Sequence, residues 1–67
     1  MKRFIAEVSY GGKITEYELV AENAVLGRGV IGKHLGEIPV GMNFRLRDIP
    51  GEADGEPRVI GEVSKSS

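Results

Sequence analysis

Cysteine is absent from this sequence and histidine occurs once, at His34. The first absence excludes disulfide staples and thiolate metal sites. A single imidazole, in turn, cannot build an all-histidine centre. Neither sign of charge dominates: nine lysines and arginines stand against ten aspartates and glutamates, for a net charge of -1. Nucleic-acid binders usually carry a basic excess and nucleic-acid mimics an acidic one, and this balance announces neither. No run approaches the roughly 18 apolar residues of a membrane-spanning helix. The opening MKRFIAEV also lacks the apolar core of about 7–15 residues that marks a secretory leader. The expectation is a cytoplasmic protein, in a bacterium or in an infected host cell, with no membrane partner.

What is present is a chain of 67 residues, enough for one small domain. A domain of that size buries only about 60% of its unfolded surface and is marginally stable. With disulfides excluded, a partner or a second copy is the expected source of further support.

Arg3 to Tyr10 alternates, with Phe4, Ala6, Val8 and Tyr10 on one side and Arg3, Glu7 and Ser9 on the other. That is the period of a half-buried strand. Gly11-Gly12 supplies the positive φ angles of a tight hairpin turn. Lys13 to Val20 then alternates again, Thr15, Tyr17 and Leu19 against Glu16 and Glu18. Asn43 to Ile49 places Phe44 and Leu46 inward and Arg45 and Arg47 outward. Residues 50–57, PGEADGEP, read as a loop, and Arg58 to Val63 as a last strand paired with the one before it. The domain is expected to span residues 1–63, with 64–67 a disordered tail.

Residues 21–37 are the ambiguous segment. Asn23 is a good N-cap, Lys33 and His34 suit a last helical turn, and Gly36 suits its end. Ala24, Gly27, Ile31 and Leu35 share one side at helical spacing, and Val25, Gly29, Gly32 and Gly36 form a second, small-residue stripe. Three internal glycines oppose the helix, each by about 1 kcal/mol relative to alanine. The reading adopted is a short helix held by tertiary packing. The fold class is therefore α+β: a small antiparallel sheet with one short helix, in the order ββαββ. The alternative is an all-β small barrel in which this segment is a glycine-rich loop with short strands.

The same segment contains GRGVIGKH, residues 27–34, which matches two phosphate-loop patterns. Gly27, Gly29 and Gly32 give G-x-G-x-x-G. Gly27, Gly32 and Lys33 give G-x-x-x-x-G-K, but His34 stands where a magnesium-ligating hydroxyl is needed. Both patterns also require parallel strands in a larger domain, and ten glycines in a chain this short produce such spacings by chance. No nucleotide and no other cofactor is expected. A weaker reading survives, in which backbone amides near Gly27–Gly29 form an anion nest flanked by Arg28 and Lys33.

The serines have no base and orienting acid arranged with His34, so triad logic fails and no catalytic residue is assigned. Glu52, Asp54 and Glu56 alternate in the 50–57 loop, but the glycine is misplaced for a calcium loop and no bidentate glutamate follows. They are candidate contacts for a basic partner. Arg45 and Arg47, with Arg58 expected nearby, form the one local basic cluster on a strand. Glu7, Glu16, Glu18 and Arg3 share the same outward face, so cross-strand ion pairing is the plainest use of these charges.

These readings point to a small non-enzymatic protein-binding module, of the kind phage and mobile elements use to inhibit or redirect a host complex. A free strand edge in so short a sheet invites pairing, with a partner or with a second copy as a homodimer. The alternatives are a nucleic-acid-binding domain using the Arg/Lys patch and a structural subunit of a larger assembly.

Overall fold

A computed structural model of the chain describes residues 1–63, so the tail assigned to 64–67 lies outside the described residues. Strand β1 (Lys2–Tyr10) and strand β2 (Lys13–Ala21) form the expected hairpin. The register runs without interruption from Lys2↔Ala21 to Tyr10↔Lys13. Gly11 (φ 60°) and Gly12 (φ 79°) close it, with the positive φ at both central positions of a hairpin turn whose twist matches that of the strands.

Helix α1 (Ala24–Leu35) follows at once. The side chain of Asn23 accepts a hydrogen bond from the Leu26 amide at 2.9 Å, and Asn23 itself is extended, as an N-cap must be. At the other end the Gly36 amide donates to the Gly32 carbonyl at 3.0 Å. Gly36 has φ 78° and ψ -124°, a region open to glycine. The helix therefore prevails over its glycines, and the sheet is open rather than closed into a barrel. The fold is α+β, and the barrel alternative falls.

The helix uses only part of its expected face. Gly27 and Ile31 are buried and Leu35 is half-buried, but Ala24 is exposed. The second stripe is not used for packing: nothing comes within 4 Å of where a side chain would begin on Gly29 or Gly32. The close approach is made by Gly27 alone. A Cβ there would lie 2.9 Å from Leu46 Cδ1 and 3.4 Å from Leu19 Cδ1.

Strand β3 (Asn43–Glu52) and strand β4 (Arg58–Val63) complete a four-stranded antiparallel sheet in the order β3-β1-β2-β4. This corrects the expected pairing of the last two strands, because β4 pairs with β2 and β3 with β1. Both sides of β1 and β2 that the hairpin leaves open are taken, one by each late strand, and residues 50–57 make the connection between them. The strand continues through Pro50 and Gly51 to Glu52, leaving only Ala53 to Pro57 as connection. That link crosses the end of the hairpin, where the Ala53 amide donates to the Met1 carbonyl at 3.1 Å. Three interstrand spacings come to about 14 Å, and the six Cα steps from Glu52 to Arg58 reach about 20 Å when extended, so the link can cross the hairpin end even with the bend at Gly55–Pro57.

One face of the sheet carries the core. Phe4, Ala6 and Val8 from β1 and Leu19 and Ala21 from β2 meet Ile31 of the helix. Tyr17, Val30, Leu35, Met42, Phe44, Leu46 and Val59 pack around them. The alternation of β1, β2 and the first part of β3 thus puts the charges away from the helix as expected, but Ile5, Ile14 and Val20 share the charged side and Tyr10, at the hairpin end, is exposed.

Candidate functional site

The other sheet face has no element over it among the described residues. Its charged side chains come from three strands. Arg3 lies against Glu18, with Nε and Nη2 donating to Oε2 at 2.8 and 2.5 Å. Arg45 Nε donates to Glu7 Oε1 at 3.2 Å. Arg47 reaches Glu7 and Glu16 at 3.9 and 3.8 Å.

The register explains this arrangement. Glu7 and Glu16 stand directly opposite each other on β1 and β2, a like-charge pair that is unfavourable by itself. Arg45 pairs with Glu7 across β1 and β3, and Arg47 lies two residues along the same face, where its guanidinium bridges both carboxylates. Ile5 and Val20 also face this side, yet they are buried. The aliphatic stems of long charged side chains cover apolar surface while their heads stay wet. Glu16, only 7% exposed, belongs to the same covered layer.

Near the hairpin end this face opens into a cavity of about 210 Å³ lined by Glu7, Ser9, Ile14, Asn43, Phe44 and Arg45. Ile14 is 66% exposed there. It was legible as an anomaly, because an isoleucine occupies the same strand parity as Glu16 and Glu18. Asn43 carries no such signal, and its role follows only from the placement of β3 beside β1.

The structure brings Arg45 and Arg47 together but separates them from Arg58. The expected three-arginine cluster is not formed, since Arg58 is on β4, at the opposite edge with β1 and β2 between. Its Nη1 donates at 3.4 Å to the carbonyl oxygens of Asp54 and of Glu56, bracing the crossing link. The three acidic residues are not one loop either. Glu52 lies in β3 opposite Lys2, while Asp54 and Glu56 are exposed in the link.

GRGVIGKH is helical from end to end. Its amides enter the helical ladder, as when Gly27 donates to the Asn23 carbonyl at 2.9 Å, and a nest requires amides free of such partners. Arg28 and Lys33 are exposed. Lys33 and His34, with Val30, instead form one wall of a groove of about 250 Å³ whose other wall is Pro57, Arg58 and Val59. His34 meets Tyr17 edge-on, ring centroids 5.6 Å apart. Nothing in the sequence signals that contact, which depends on how the helix crosses the sheet.

Compared with family models, curated proteins and solved structures, the chain matches none. The functional reading therefore rests on the surface itself. Among the described residues no helix is long and apolar enough to cross a membrane.

Proposed function

We propose that this chain is a small non-enzymatic module that binds another protein through its uncovered sheet face. The observation that carries the reading is the combination of apolar and charged groups on that face. An exposed isoleucine and a shallow cavity adjoin an ordered arginine–glutamate layer, and both flanking edges are unpaired among the described residues. Protein interfaces combine an apolar centre with a charged rim in this way, and unpaired edges recruit further strands. Inhibition or redirection of a larger host complex is the role this reading favours.

Nucleic-acid binding is the competing reading, on the strength of Arg45 and Arg47. Glu7, Glu16 and Glu18 are interleaved with those arginines and would repel phosphate. Phe4, Phe44 and Tyr17 pack toward the helix, away from where bases would stack.

The test is affinity capture from the native host with the whole chain and with Ile14→Asp, an exposed position whose change leaves the core untouched. The expected result is one dominant protein retained by the parent chain and lost with the variant. Capture that ignores Ile14→Asp, or retention of nucleic acid in place of protein, would sink the reading.

A further inference from the structure

The two sheet edges differ in what they can accept. Strand β4 is six residues long, and its pairing with β2 is broken by a bulge at Glu18/Leu19. A bulge twists an edge away from further pairing. The pairing of β3 with β1 has its own irregularity at Lys2/Arg3, near the end of the strand, and runs without interruption over the seven residues Asn43 to Ile49. The outer side of that same run is unpaired among the described residues, an open template of alternating amides and carbonyls.

Its side chains specify what would fit. Arg45 and Arg47 project on the uncovered side, and Phe44 and Leu46 on the helix side, where both are half-buried. Arg45 gives its Nε to Glu7 and is otherwise 80% exposed, which leaves most of the five donors of a guanidinium to solvent. The sheet already contains the complementary pattern. Residues 16–19 of β2 read Glu-Tyr-Glu-Leu, placing carboxylates on the uncovered face against arginines and apolar groups on the helix face.

We propose that β3 receives an extended acidic segment of a partner protein as a fifth strand. Glutamates or aspartates of the incoming strand lie over Arg45 and Arg47, and its alternate apolar residues extend the layer of Phe44 and Leu46. Side chains directly opposite on paired strands stand about 4.5–5.5 Å apart at Cβ, within reach of a guanidinium fork. The inference rests on the protein-binding reading and narrows it to one edge and one partner chemistry.

The test follows backbone amide resonances of the whole chain during three titrations. The probes are a peptide alternating glutamate and valine, about eight residues long to match the edge, the same peptide with glutamine for glutamate, and mixed-sequence single-stranded DNA. The glutamate peptide is expected to shift amides of Asn43–Ile49 foremost. The glutamine peptide is expected to bind at least about tenfold more weakly. The double variant R45Q/R47Q should show the same loss and Arg58→Gln none. The peptide pair keeps the test decisive if the double variant does not fold.

Equal binding of both peptides overturns the proposal. So do shifts centred on Arg58–Val63, although these would leave the protein-binding reading standing. Shifts with DNA alone overturn both readings. Silence with every probe removes the acidic-strand proposal and leaves the broader reading to the Ile14→Asp capture.

Discussion

Three glycines of α1 look alike in sequence and differ in what surrounds them. Gly29 and Gly32 have nothing within 4 Å of a new Cβ, so alanine there gains helix propensity and meets no obstacle. Each substitution is expected to stabilise the fold by about 0.5–1 kcal/mol, raising Tm by about 4–8 °C per kcal/mol for a domain of this size. At Gly27 the same methyl would meet Leu46 Cδ1 at 2.9 Å. That atom ends a flexible side chain on an edge strand, so Gly27→Ala is expected to be close to neutral. Gly27→Val has no such escape and should lose about 1–3 kcal/mol by overpacking. Gly36→Ala forces a side chain into φ 78°, ψ -124° and should lose about 1–3 kcal/mol. Thermal melts of these variants check the set; a destabilised Gly29→Ala would mean that its helix surface is covered.

The charged layer belongs to the same scale. Arg45, with one partner and high exposure, is expected to change stability by less than about 0.5 kcal/mol when replaced by alanine. Arg47→Ala removes the bridge over the opposed Glu7 and Glu16 and should cost about 1 kcal/mol, less at high salt where that repulsion is screened. Denaturant titrations at two ionic strengths separate the two, and equal effects would show that Arg47 does not serve as the bridge.

Among the elements, α1 depends most on its contacts with the rest of the molecule. Propensity alone does not hold a helix of twelve residues with three glycines in water. Ile31, fully buried beneath it, is the side chain that fastens it to the sheet. Ile31→Ala is expected to cost about 2–5 kcal/mol, enough to unfold a domain this small. Asn23→Ala, which removes one cap acceptor, should cost about 1 kcal/mol. Circular dichroism at increasing denaturant distinguishes loss of the helix from loss of the whole fold. The existence of this helix was legible in its caps, Asn23 and Gly36, more than in its hydrophobic pattern. Ala24 was assigned to the buried face and is exposed, because the helix touches the sheet over a narrower strip than its spacing implies.

At the scale of the whole molecule, one helix covers one face of a four-stranded sheet, and among the described residues nothing covers the other face or pairs with either edge. A foreign acidic strand on β3 leaves Tm independent of protein concentration when the chain is alone. An edge-to-edge homodimer, the competing occupant, makes Tm rise with concentration, so melts over a wide concentration range decide between them. Nucleic-acid binding is expected to be undetectable on a mixed DNA and RNA panel even at low salt. Affinity falling steeply as salt is added would place Arg45 and Arg47 on phosphates instead.

Alternation in Phe4–Tyr10, Thr15–Leu19 and Phe44–Arg47 already named the helix-facing side, since strand geometry sends successive side chains to opposite faces whatever the neighbours are, but it did not show that Tyr10 is exposed and Ile5 buried. The hairpin was equally legible, because Gly11-Gly12 admits the backbone angles of a tight turn. Alternation names a face and is silent about which strand lies alongside. The placement of β4 beside β2, the parting of Arg58 from Arg45 and Arg47, and the meeting of His34 with Tyr17 were therefore decided by tertiary structure alone. The five-residue link Ala53–Pro57 is long enough to carry the chain across the hairpin end to β2. Long-range pairing depends on how far a link must reach, and local residue patterns do not encode that distance.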